Sequence, residues 1–122
     1  MTFIFTVLTF LGLLFGSSHH AVSMHSQDAD TQAKADMSEL STELEMHYQR
    51  NGEYPTQQEL LEEYDTALPG IDPQTLFDSD GKFIDSGTYH YVPQECTALG
   101  CKHFRLQATL SDGSLFIRDS LR

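Results

Sequence analysis

Apolar and polar positions pass through three rhythms along this chain, and each rhythm predicts a different element. From Phe3 to Gly16 the run FIFTVLTFLGLLFG carries no charge, and polarity returns gradually through SSHHAVSMHSQ. As a helix this run covers about 21 Å, short of a hydrocarbon core of about 30 Å unless Ala21, Val22 and Met24 prolong it. From about Ser26 to Arg50, Ala33, Met37, Leu40, Leu44 and Tyr48 recur at spacings of three and four. That spacing lays a narrow apolar stripe down one face of a helix, with Glu39, Glu43 and Glu45 on other faces. From Thr88 the period is two: TYHYV, HFRLQAT (His103 to Thr109) and SLFIRD (Ser114 to Asp119) alternate as strands do.

Punctuation between these segments sharpens the picture. Asn51-Gly52 supplies a left-handed residue to end the long helix, and Pro55 prevents its resumption. Thr56 and Glu59 form a capping-box pattern that opens a short helix through about Tyr64, with Leu60, Leu61 and Tyr64 turned inward. Asp72-Pro73 is placed to start a single helical turn through Leu76, and Asp112-Gly113 is a strong hairpin signal between the last two strands. The predicted fold class is α+β, a long N-terminal helix packed on a small three-stranded antiparallel sheet. Residues 1–25 form an apolar helix and polar collar, and residues 26–122 a globular domain. Within that domain the shaft runs over 26–50, the short helix over 57–64, a loop over 65–87 and a β-meander over 88–119. Met37, Leu40, Leu44 and Tyr48 are expected to meet Tyr91, Phe104, Leu106, Leu115 and Ile117 in the helix–sheet core.

Charge and cysteine content narrow the function classes. Of 122 residues, 18 are Asp or Glu against 7 Lys or Arg, a formal net charge of -11 with no basic stripe. Such a surface repels phosphate backbones, so no direct nucleic-acid partner is expected. Cys96 and Cys101, in ECTALGCK, fall between two strand-like segments. They read as a disulfide closing a hairpin end, which presumes an oxidising compartment. Two free thiols or half a zinc site are the competing readings, although no second Cys pair exists to complete the latter.

The order of an apolar head, a shaft ending in TQAKADMSELSTELEMHYQRNGEYPT, a variable loop and a meander with C-x4-C at its turn resembles type IV pilins and the pseudopilins of type II secretion. The shaft is similar to the family's end-of-stem pattern, a Lys-Ala-Asp opening followed by an amphipathic run, a Tyr and Asn-Gly-x-Tyr-Pro. Together the similar stretches cover most of the chain. Phe5-Thr6-Val7-Leu8-Thr9 can be laid on the family's mature start, but Ile4 stands where a Gly is usual and Thr9 where a Glu is usual. The missing carboxylate is the one expected to pair with a neighbour's amino terminus in the apolar filament core. The resemblance implies a pilin-like fold and assembly through Phe3, Phe5, Leu8, Phe10, Leu11, Leu14 and Phe15. It also implies other pilin-like subunits, the inner-membrane assembly machinery and the lipid bilayer as partners, with the domain held outside the cytoplasm.

The sequence carries no G-x-S-x-G, H-E-x-x-H, P-loop or Gly-rich dinucleotide turn. Glu62 and Glu63 are adjacent on an exposed helix, so no enzymatic activity is expected. His19, His20 and His25 lack the i, i+4 pairing that chelation on a helix prefers, and His47, His90 and His103 read as surface residues. DSDGKFID carries the Asp-x-Asp-Gly look of a calcium loop without the full EF-hand spacing. Asp78, Asp80 and Asp85 are therefore calcium candidates, set against an ordinary acidic turn, and no other cofactor is expected. The functional expectation is a structural filament subunit; the alternative is a small secreted binding domain released by signal-peptide cleavage near Ala21.

Overall fold

A computed structural model of the chain describes residues 28–122. The apolar stretch from Phe3 to Phe15 and the histidines at 19, 20 and 25 lie outside the described residues. The amphipathic shaft is helical over residues 28–51 and is called α1. Its apolar stripe does what the spacing requires: Ala33, Met37, Leu40 and Leu44 are all buried, and Tyr48 is partly buried against the same core. The Gly52 amide donates to the Tyr48 carbonyl at 2.7 Å, with Gly52 at φ 78. A left-handed residue there ends the helix without a Cβ penalty.

The second helix, α2 (Gln57–Ala67), opens on Thr56, whose hydroxyl accepts the Glu59 amide at 3.1 Å. It runs past the expected end at Tyr64. Its backbone leaves helical geometry at Glu63 (φ -133, ψ 35), then resumes until the Leu68 amide closes on the Tyr64 carbonyl at 2.8 Å. Ala67 and Leu68, both buried, continue the face of Leu60 past Tyr64, while Asp65 and Thr66 are exposed. A 3-10 turn, Pro73–Leu76, follows as the Asp72-Pro73 signal requires, with the Asp72 side chain accepting the Gln74 amide at 3.0 Å.

Strands β1 (Tyr89–Thr97), β2 (Gly100–Thr109) and β3 (Leu115–Asp119) form an antiparallel sheet in the order β1-β2-β3. β1 continues through Pro93 because it is an edge strand. The Tyr91 amide points away from β2 to the Asp85 carboxylate at 3.1 Å, so the same-facing position two residues on loses nothing by lacking a donor. On the core face Tyr89 stands opposite Ala108 and Tyr91 opposite Leu106, all buried, with Phe104 beside them. These residues cover the α1 stripe.

The register corrects one expectation. Ala108 pairs with Phe116 and Leu106 with Arg118, so Phe116 turns toward the core. Ile117 pairs with Gln107 and Leu115 with Thr109 on the outer face, where they are 40% and 53% exposed. Leu115, Phe116 and Ile117 are all apolar, so period two allows either face. The turn decides: the Leu110 amide donates to the Ser114 carbonyl at 2.8 Å and the Gly113 amide to the Leu110 carbonyl at 2.9 Å. That closure fixes the pairing one residue away from the alternative.

Candidate functional site

The cysteines are joined. Cys96 and Cys101 form a disulfide across the β1–β2 turn with a Cα–Cα distance of 4.0 Å. Tyr54 ties this turn to the helical corner, exchanging backbone hydrogen bonds of 2.8 Å in both directions with Cys101. Gly100 sits between them at φ 155, where a Cβ would lie 2.9 Å from the Tyr54 carbonyl oxygen. Only glycine lets the turn approach the corner so closely. The Tyr54 and Tyr91 rings fill the space beneath, Tyr54 edge-on to Phe104 at 4.8 Å, and the Tyr91 hydroxyl donates to the Pro55 carbonyl at 2.6 Å. Helix corner, disulfide turn and sheet thus form one unit.

The three aspartates do not form the cage that Asp-x-Asp-Gly suggests. Asp78 is buried, and its Oδ1 accepts the Asp80 amide at 2.9 Å and the Lys82 amide at 3.0 Å. Its Oδ2 accepts the Thr88 amide at 2.8 Å and the Thr88 hydroxyl at 3.2 Å. Burial alone would raise this carboxyl, but the four donors outweigh it and hold its pKa below the usual carboxylate range. Its oxygens are committed to loop amides and the Thr88 hydroxyl, while Asp85 Oδ1 accepts the Tyr91 amide at 3.1 Å. Among the described residues no group of three or more His, Cys, Asp or Glu side chains is placed to hold a metal ion.

Two functional-looking groups were not singled out by spacing. Asp36 is buried on α1, its Oδ2 accepting the Tyr89 hydroxyl at 2.7 Å and its Oδ1 the Gln32 amide at 2.8 Å. Burial raises its pKa despite both hydrogen bonds, and the same contact with burial raises that of Tyr89. His47, expected at the surface, is also buried, at 4% exposure. Asn51 donates to its Nδ1 at 3.1 Å and to its backbone carbonyl at 3.2 Å, and its Nε2 lies 3.8 Å from Glu59. Burial first, then Arg50, lowers its pKa. Both residues stand three positions from an apolar stripe residue, Ala33 or Leu44, so they share the core phase of the helix. A polar residue in that phase was the available signal.

His90 and His103 are half-exposed, beside Asp85 at 3.5 Å and Glu95 at 3.6 Å respectively. A depression of about 470 Å³ lies at the α1–α2 corner and is lined by His47, Asn51, Gly52, Glu53, Glu59 and Leu99. Among the described residues no helix is long and apolar enough to cross a membrane. The arrangement as a whole can hold a helix rigidly against a disulfide-closed sheet and present an acidic exterior. No protein-family model matches the chain, and no curated protein or solved structure matches it either.

Proposed function

We propose that the chain is a pilin-like or pseudopilin structural subunit, assembling through its N-terminal apolar helix into a pilus or a secretion-type filament. The observation that carries this reading is the joining of an amphipathic helix to a disulfide-closed antiparallel meander, directly downstream of an uncharged apolar run.

In this reading the apolar helix sits in the bilayer before assembly, is handed over by inner-membrane machinery, and then buries among the heads of neighbouring subunits. Once out of the bilayer the apolar helix would face water, and burial among neighbouring helices keeps it sheltered, with the acidic domain displayed outside. The protein carries out no reaction.

Changing Leu8, Leu11 and Leu14 together to Ala is the test. Incorporation into sheared filaments should fall severalfold while the Cys96–Cys101 disulfide still forms. Unchanged incorporation would refute helix-driven assembly. Amino-terminal sequencing of the exported protein separates the alternative, since a start near Val22 or Met24 makes the chain a secreted binding domain.

A further inference from the structure

The α1–α2 corner contains a buried donor without an acceptor among the described residues. Asn51 is held by two contacts, to the His47 carbonyl oxygen and to His47 Nδ1, and both come from its amide nitrogen. Rotating that amide by half a turn would set its oxygen against the carbonyl oxygen, so the nitrogen is fixed in place. Nδ1 is therefore an acceptor, and in the neutral ring the proton resides on Nε2. That Nε2–H is buried and has no hydrogen-bond partner among the described residues, because the Glu59 carboxylate at 3.8 Å is too distant to accept it.

We propose that His47 is a proton-operated latch at this corner, exchanging its Asn51 contact for an ion pair with Glu59 when the ring is protonated. The added proton comes from solvent and goes to Nδ1, the only ring nitrogen with a free lone pair. Nδ1–H then faces the Asn51 amide hydrogens, donor against donor, and Asn51 must swing away. At the same time the cationic ring attracts the Glu59 carboxylate, which is one-third exposed and free to close the remaining gap. Asn51 releases the last turn of α1 while Glu59 draws the first turn of α2 inward, so the corner depression changes shape.

The surrounding charges set where the latch operates. On α1, Arg50 opposes protonation, and Glu43 lies one turn earlier beside Gly70. Glu59 comes from α2 and Glu53 from the connection, while the β1–β2 turn contributes the uncharged Leu99. Burial adds to Arg50, so the ring stays neutral until the surroundings are more acidic than its ordinary value of 6.5. An acidic compartment or an acidified surface would therefore operate it.

The test follows the ring nitrogens of His47 and the side-chain amide of Asn51 by NMR in the full-length protein as pH is lowered from about 8 to about 5, a range spanning the ordinary His pKa. A neutral ring protonated on Nε2, a midpoint below 6.5 and an Asn51 amide shift sharing that midpoint are expected. Glu59→Gln should lower the midpoint. Asn51→Asp, whose carboxylate accepts Nδ1–H, should raise it by about one unit. A neutral ring protonated on Nδ1, an Asn51 amide indifferent to the titration, or a midpoint unmoved by Glu59→Gln would each overturn the latch. The wild-type measurement decides even if a variant folds poorly.

Discussion

Replacing Asp78 with Asn keeps the shape of the side chain and changes one oxygen into a donor. In the wild type each oxygen receives two donors, three of the four being backbone amides at 2.8 to 3.0 Å. The best placement of Asn keeps its oxygen toward the Asp80 and Lys82 amides and turns its NH2 toward Thr88. The Thr88 hydroxyl can rotate to accept, but the Thr88 amide cannot, so one backbone donor is orphaned and the remaining bonds lose their charge. A buried orphan costs about 1–3 kcal/mol, and charge-assisted bonds exceed neutral ones by about 1 kcal/mol each. Since these bonds share one side chain their losses do not simply add, and a net cost of about 3 kcal/mol is expected. Enlarging Gly87 should damage the same loop, since a Cβ there would meet the Asp78 carboxylate. Urea denaturation followed by circular dichroism measures the change. The pH dependence gives a second readout. The folded pKa of Asp78 lies below the unfolded value of 3.8, so its stabilisation is full above 3.8 and disappears as pH falls through the folded value. Asp78→Asn should flatten that acid limb. A loss below about 0.5 kcal/mol, within the usual range for surface substitutions, with the acid limb intact, would refute the assignment of Asp78 as the organiser of this loop.

The β2–β3 register is tested by a pair of truncations. Leu106→Ala should cost about 2–5 kcal/mol because it opens a cavity in the core, whereas Ile117→Ala on the outer face should cost less than about 1 kcal/mol, and equal losses in denaturant unfolding would contradict the pairing. For Asp36 the sign is opposite to that of Asp78. Its folded pKa is raised, so its contribution is full below 3.8 and is lost as pH rises through the folded value. Asp36→Asn should therefore gain stability relative to wild type as pH increases from about 4 to 7, a range above the ordinary Asp pKa, and a pH-independent difference would show that burial is not the controlling cause.

Much of the fold was legible because local rules and tertiary packing agree. The α1 stripe from Ala33 to Leu44, the Thr56 cap, the Asp72-Pro73 turn and the Asp112-Gly113 hairpin each have a short-range cause, and each element forms where that cause lies. The disagreements have longer range. Ile117 and Phe116 compete for one face, and only pairing with β2 chooses between them. Glu63 breaks α2 without any Gly or Pro to announce it. DSDGKFID looks like a cation loop because Asp residues suit both tasks; what distinguishes them is whether the oxygens meet backbone amides or converge on a common point. His47 and Asp36 share the core phase of α1, but a hydrophobic stripe read by its apolar members passes over them.

The acidic residues of α1 are not simply a solvated surface. Asp30 accepts the Ser111 amide and hydroxyl at 2.9 and 2.7 Å, and Asp36 the Tyr89 hydroxyl. Glu39 accepts the Thr75 hydroxyl at 2.9 Å, and Glu45 both the Tyr54 hydroxyl at 2.6 Å and the Leu121 amide at 2.8 Å. These carboxylates staple the helix to the hairpin, the sheet, the loop and the C-terminal residues in turn. A small core alone would hold such a helix weakly, since few apolar residues are available to cover it. Hydrogen bonds to charged groups along both margins compensate. The carboxylates of α1 therefore act first as acceptors that fix the helix to its own domain, where apolar burial alone would hold it weakly.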